Sequence, residues 1–265
     1  MPFVVYSDIN VTSKNIGDAI LSLKDFEELE RIHGSKHFRN DKIDVLGIST
    51  NILNSDFLDH IIKTDLIIFV CSHTSSKGIA SLTAHPEGNW SSEAKLGGKP
   101  RELSFAAPEH MFGMLQSLKH NNSTKFPVIY EATHHGPLLK TPSFFVEVGG
   151  NKEALESAEY ANLVARSVID LIEGNAGDSV GEPVLGIGGM HYAEKFTRTA
   201  FEKGYAFSHI MPKYYVNEIN MLEQAAERSA SAIEKAVIEW KSIKADDRKI
   251  IIRELEKIGL DYERV

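Results

Sequence analysis

The sequence predicts an α/β fold, with one mixed, mainly parallel sheet flanked by helices on both faces and residues 1–265 forming a single domain. Three observations lead there. Short aliphatic runs, residues 66–71 above all, carry no polar alternation, as expected of a strand covered on both sides. Segments of helical spacing lie between these runs, such as Ile16, Ile20 and Leu23. No low-complexity linker, charge block or internal repeat interrupts the alternation.

Residues 3–6 read as a first β-rich run, and residues 44–48 and 66–71 as further strands. A stretch rich in Gly, Ser, Thr and Pro follows from 72 to 99, and is expected to be a long functional loop. Residues 108–118 predict a helix with Pro108 in its first turn. Strands are expected at 127–132 and 144–148, then a long helix at 151–173 capped by Asn151, with Glu153 and Glu156 in its first turns. A strand at 183–187 runs into G-I-G-G-M-H-Y, a helix covers 193–203 and a strand 204–210. From about 216 to 265 the chain is expected to be helical.

Composition narrows the function classes. Net charge is −8 and the sequence pI about 5.8, against a general nucleic-acid binder with a basic surface. No DNA or membrane partner is expected: the apolar run at 66–71 is too short to cross a bilayer, and the N-terminus carries no secretion-signal pattern. A single cysteine, Cys71, fits a reducing cytoplasm and is expected to be a buried thiol rather than a nucleophile.

Seven of the eleven histidines fall where an expected strand or loop gives way to the next element: His73, His85, His110, His134, His135, His191 and His209. Imidazole titrates near neutral pH and is the commonest metal ligand, so such a gathering points to hydrolytic or metal chemistry. His33, His37, His60 and His120 lie in charged stretches and are expected at the surface. In E-A-T-H-H-G-P, Glu131 closes a strand and His134 and His135 enter a turn made by Gly136 and Pro137. Neighbouring side chains on an extended segment point apart, so the two imidazoles need not act together. In T-A-H-P-E-G-N-W, Pro86 fixes the backbone after His85, and Trp90 is expected to bury against the loop. Gly188 and Gly189 stand at a strand-to-helix junction, where backbone N–H groups favour a phosphate or an oxyanion. H-E-x-x-H, paired C-x-x-C and G-x-S-x-G are all absent, so any metal site must be assembled from ligands far apart in sequence. Lys77, Lys95, Lys99, Arg101 and Lys140 flank the histidine segments and are the expected cationic patch.

Taken in order, S-H-T-S-S-K-G, L-T-A-H-P-E-G-N-W, P-E-H-M, Y-E-A-T-H-H-G-P, F-V-E-V-G and G-I-G-G-M-H-Y-A resemble the D-aminoacyl-tRNA deacylase family of the archaeal and plant type. The resemblance covers about residues 4–212. It implies a fold similar to peptidyl-tRNA hydrolase and purine nucleoside phosphorylase. It also implies hydrolysis of the ester between a D-amino acid and the terminal ribose of tRNA, with zinc as cofactor. By motif match His85, His134, His135 and Glu131 are the expected catalytic residues. His73, Lys77, Gly188, Gly189, His191 and Lys140 are expected on the substrate, and Glu131, His134, His135 and His191 on the metal. The expected partner is the acceptor end of D-aminoacyl-tRNA, met by a cytoplasmic monomer. Two rivals stay open here: a nucleoside phosphorylase or nucleosidase, and a non-catalytic module that binds RNA ends.

Overall fold

The apolar run at 66–71 lies at the centre of an eight-stranded sheet, as its lack of alternation requires. The computed structural model describes residues 1–73, 78, 80–175 and 180–265. In chain order the strands are β1 (Phe3–Ser7), β2 (Glu27–Ile32), β3 (Ser35–Arg39), β4 (Asp44–Ile48), β5 (Ile67–His73), β6 (Ser81–His85), β7 (Gly88–Asn89) and β8 (Glu102–Leu103). They continue as β9 (Val128–Tyr130), β10 (Ser143–Gly149), β11 (Glu182–Ile187), β12 (Tyr205–Met211), β13 (Lys235–Ile238) and β14 (Asp261–Arg264). The helices are α1 (Val11–Leu23), α2 (Leu58–Ile61), α3 (Pro108–Asn121), α4 (Lys152–Glu156), α5 (Ala158–Glu173), α6 (Glu194–Lys203), α7 (Leu222–Glu227) and α8 (Ala245–Lys257).

The main sheet runs β2-β3-β4-β1-β5-β10-β6-β9. The pairs β4–β1, β1–β5, β5–β10 and β6–β9 are parallel, while β10–β6 is antiparallel. Alternate residues therefore divide between two faces. Val4, Tyr6, Ile68, Val70, Phe144, Val146 and Leu82 pack under α1, α3 and α5 with Ile16, Leu115, Val164 and Val168. Phe3, Val5, Ile67, Phe69, Cys71 and Phe145 face the other way, against Ile52, Leu58, Ile62 and Leu139. Register puts Phe69, Phe145 and His85 side by side on that second face, and Cys71, Glu147 and Thr83 likewise. Stacking of Phe145 on Phe69 at 4.7 Å and on His85 at 5.4 Å agrees with the register.

Several expectations are corrected. The stretch 72–99 is not one loop, because it contains β6 and β7. The expected helix at 151–173 is two: α4, capped by Asn151 through Ala154 N–H, and α5, which starts after the extended Ser157. The segment 216–265 is not wholly helical, since β13 and β14 join β11 and β12 in a second, parallel sheet of order β12-β11-β13-β14. Leu185, Ile187, Ala236, Ile238, Ile251 and Leu255 form its core with Trp90. The charged hairpin β2–β3 escapes notice in the sequence because it is an exposed edge. One of its residues is not at the surface: His37 is buried, with Nε2 2.5 Å from Asp44 Oδ1, an oxygen that also accepts from Arg39 Nε at 2.7 Å.

Candidate active site

Five of the histidines and two carboxylates meet on the second face of the main sheet, where strand direction switches between β10 and β6. His73 ends β5, His85 ends β6 and Glu147 sits in the middle of β10. Glu131 follows β9, His134 and His135 the turn beyond it, and His191 the β11–α6 connection. Glu131 Oε2 stands 3.2 Å from His73 Nδ1, 3.1 Å from His191 Nε2 and 3.7 Å from His134 Nε2. Glu147 Oε2 is 3.5 Å from both His73 Nδ1 and His85 Nε2. The ring centres of His134 lie 4.1 Å from His85, 4.3 Å from His135 and 4.5 Å from His191. The expected convergence thus occurs, but over a face of the sheet rather than along one carboxyl edge.

Local backbone fixes which nitrogen each ring offers. His134 Nδ1–H donates to Ala132 O at 2.8 Å, His135 Nδ1–H to Gly136 O at 2.6 Å and His85 Nδ1–H to Pro86 O at 3.2 Å. That tautomer leaves Nε2 of His134 and His135 as a lone pair, the form in which imidazole binds metal or accepts a proton, while His85 Nε2 faces the Glu147 carboxylate. His135 sits at φ 47°, a left-handed conformation that costs a side chain about 1 kcal/mol. Its loop is held by Gly88 N–H to His135 O (2.7 Å) and Gly136 N–H to Leu96 O (2.9 Å). Gly136 has no alternative, because a Cβ there would stand 2.2 Å from Gly98 N.

Two residues outside the cluster brace this loop. Trp90, buried as expected, donates its Nε1–H to Thr133 O at 3.1 Å. His209 is fully buried and uses both nitrogens on protein: Nε2 faces Ser104 O (3.1 Å) and Arg228 O (3.0 Å), and Nδ1 faces Thr133 Oγ1 (3.2 Å). Burial pushes His209 down to about 4, so it stays neutral. It supports the site from beneath. His110 lies exposed on α3 and takes no part.

Electrostatics in the cluster follow from burial and proximity. Burial pushes His134 well below its usual range and His135 down to about 4, and the nearby His85 ring adds to both effects. Burial would also lower His73 and His85, but facing carboxylates reverse it: Glu131 and Glu147 raise His73 to about 11, and Glu147 raises His85. Burial alone would raise the carboxyls of Glu131 and Glu147; the His191 and His73 rings beside Glu131, and the His73 and His85 rings beside Glu147, hold both well below the usual carboxylate range.

The donor set fits a metal ion. His73, Glu131, His134 and His191 offer one ligand atom each within 4.8 Å of one another, as do His85, His134 and His135, and His85, Glu131 and Glu147. Both Glu131 oxygens, Glu147 Oε2 and His85 Nε2 are buried without a hydrogen-bond partner among the described residues. Buried polar atoms are rarely left so, and four of them facing one another is the arrangement a bound cation resolves.

Other expected residues are placed elsewhere. The Gly188 and Gly189 N–H groups do not face the cavity: they donate to Met211 O and to Ser242 Oγ, both at 2.8 Å. They shape the turn that delivers His191, and an oxyanion would have to find its donors elsewhere. Lys140 is exposed in a separate hollow with Lys99, Arg228, Asp59 and Asp65. Lys77 lies outside the described residues. Of the flanking cations, Lys95 pairs with Glu93 and Arg101 with Glu218. Sequence reasoning missed Glu147 and Tyr192, whose ring is 5.5 Å from His73 and 5.4 Å from His191. Glu147 has a visible signal, a lone carboxylate inside the apolar run F-F-V-E-V. Glu87 was also passed over: fully buried, its Oε2 accepts from Ser143 Oγ at 3.1 Å, and burial raises its carboxyl to about 7. Above the cluster opens a cavity of about 670 Å³, walled by Ser7, Ile9, Asn10, Asn51, Leu53 and Leu96, with His73, His134, His135 and His191 at its floor.

Comparison with known proteins relates the chain first by fold and then by family. A fold with the same layout occurs in a crystal structure of a conserved protein of unknown function, AF0625, at a TM-score of 0.90 and 28% identity, covering 100% of this chain and 95% of that one. The sequence model of D-aminoacyl-tRNA deacylase matches residues 60–263. A D-aminoacyl-tRNA deacylase of Thermococcus kodakarensis is 33% identical, with all of both chains covered. One from Methanosarcina mazei is 32% identical over 97% of this chain and 90% of its own. The chain belongs to the D-aminoacyl-tRNA deacylase family.

Proposed function

We propose that this chain hydrolyses the ester of D-aminoacyl-tRNA, releasing the D-amino acid and free tRNA, with zinc held by the imidazole–carboxylate cluster. The observation that carries the reading is the set of buried, mutually facing Nε2 and carboxylate atoms in a member of this family. Only one cysteine is present, so thiolate-rich coordination is ruled out and His/Glu ligation remains. Glu131, His134 and His191 with His73 are the first group to hold the ion; His135, with His85, forms the adjoining one. When bound, the ion polarises the ester carbonyl and lowers the pKa of a water.

The chain's own residues do the rest. His191 is the most exposed of the cluster, with 31% of its side chain accessible, and meets the substrate as it enters. The lone pair on His135 Nε2 stays free of a proton near neutral pH and can accept one from water or position it, while His134 offers its own to the ion. His85, wholly buried behind them, fixes their spacing. The cavity wall of Ile9, Ile52, Leu53 and Leu96 receives the amino acid, and judges its hand by whether the side chain collides. All these groups come from one chain, so a monomer suffices. No described helix is long and apolar enough to cross a membrane, and a tRNA-acting enzyme works in the cytoplasm.

The test is incubation with matched D- and L-aminoacyl-tRNA, with and without chelator. The D ester is expected to be lost much faster than the L ester. Equal rates would sink the chiral reading, and full activity in metal-free protein would leave the imidazoles as bases and positioning groups.

A further inference from the structure

We infer that the groove along β9, between the end of α3 and α6, carries the single-stranded 3′ end of the RNA to the imidazole cluster. The inference rests on the proposed reaction and names a surface for its substrate. The strand β9 is the last of the main sheet, and both α3 and α6 pack beside it. Between them lies a hollow of about 460 Å³ with an apolar floor of Pro127, Val128, Ile129 and Phe201. Two cations stand on its walls, Lys119 near the end of α3 and Arg198 on α6. Arg198 is exposed and has no ion-pair partner among the described residues; Lys119 Nζ lies over the Phe201 ring at 4.2 Å and has none either. One acid, Glu194, shares the walls, so the lining is net positive on a chain of net charge −8.

One lining residue of the groove adjoins the cluster. Tyr192 lines it, and its ring centre also lies 5.5 Å from that of His73 and 5.4 Å from that of His191. The Tyr192 hydroxyl is buried and has no hydrogen-bond partner among the described residues. Unpaired bases have apolar faces and a charged backbone, and a groove with an apolar floor and two unpaired cations matches both features. A hollow of about 460 Å³ is on the scale of one or two nucleotides, so the fit is to a single strand ending at the ester. The described cationic residues flanking the histidine segments are poorer candidates. Lys95 and Arg101 are already paired, and Lys99 and Lys140 share their hollow with Asp56, Asp59, Asp65 and Glu102.

The test is the double variant Lys119→Glu/Arg198→Glu, assayed on D-aminoacyl-tRNA and on a D-aminoacyl-adenosine ester too short to reach the groove. KM for the tRNA is expected to rise about tenfold at moderate salt, and the slope of log affinity against log salt to fall by about 1.4, which is two single-strand phosphate contacts. KM for the short ester should hardly move. If the double charge reversal perturbs folding, seen as a lowered melting temperature, Lys119→Gln/Arg198→Gln is used instead. Its expected change is of the same kind and about threefold, for loss of attraction without added repulsion. An unchanged KM and salt slope for tRNA overturns the groove, as does an equal loss on both substrates. Lys99→Glu/Lys140→Glu losing tRNA affinity while the groove variants keep it would also overturn the groove. Failure of the unaltered protein to cleave either ester would instead overturn the reaction itself.

Discussion

The two faces of the main sheet are made by the same strands, yet one is a conventional core and the other is a reaction chamber. Under α1, α3 and α5 the strands present Val4, Ile68, Val70, Phe144 and Val146, all fully buried and all apolar. On the opposite face the apolar set shrinks to a patch around Phe69 and Phe145, and the same strands then present His73, Glu147 and His85. Every buried charge of the cluster lies on that side. The difference teaches that the helix-covered face supplies the stability that lets the other face keep buried polar atoms without hydrogen-bond partners, each of which is costly in a protein interior.

The comparison can be broken most sharply at Glu131. Glu131→Gln keeps the side-chain volume but removes the charge three imidazoles face, and should cut deacylation by about a thousandfold, the range for losing a positioned acid–base or ligand group. The circular dichroism melt of the metal-free variant should move little. A melt that collapses along with activity would mean the second face also carries the fold.

The reverse experiment is Phe144→Ala on the helix-covered face. It should cost about 3–5 kcal/mol of unfolding free energy, read from denaturant titration, while the fraction still folded keeps its turnover.

Metal binding sharpens the comparison. Zinc added to stripped protein should raise the melting temperature and release protons, because His73, held protonated up to about 11 in the metal-free cluster, must lose its proton to become a ligand. About one proton or more per ion is expected in calorimetry run in buffers of different ionisation heat. Affinity should fall as pH drops and the imidazoles compete for protons. Binding with no proton release would remove His73 from the ligand set.

The smallest effect is expected at His209. Its folded pKa of about 4 lies below the ordinary value of 6.5, so the unfolded chain takes up a proton that the folded chain refuses. Its contribution is therefore fully present above pH 6.5 and declines as pH falls from there towards 4, by at most about 3 kcal/mol. His209→Gln should flatten that part of the stability–pH curve. An unaltered curve would assign the acid sensitivity to other groups.

Much of this was legible in the sequence, for a definable reason. His73, His85, Glu131, His134, His135 and His191 sit in turn-rich segments beside strands, where a side chain's neighbours are local and its motif is visible. Glu147 was not read because its meaning depends on what lies across two neighbouring strands, and pairing of β10 with both β5 and β6 is information of long range. The same limit hid β13 and β14, short runs among charged residues that become strands only as β13 adds to β11 and β14 to β13. His37 was misread because the polar stretch around it suggests surface, while alternation on β3 turns it inward to Asp44. The type and place of the glycines before His191 suggest donors, and only the fold shows their N–H groups already engaged.

The single cysteine is a poor target for oxidants and alkylating agents. Cys71 lines the cavity, but burial and then the adjacent Glu147 push its thiol up to about 12. Relative to the ordinary value of 9, that leaves on the order of a thousandth of the usual thiolate, the species that peroxides and alkylating agents attack. Iodoacetamide or mild peroxide should therefore leave turnover intact over times that silence enzymes with an exposed active-site thiol.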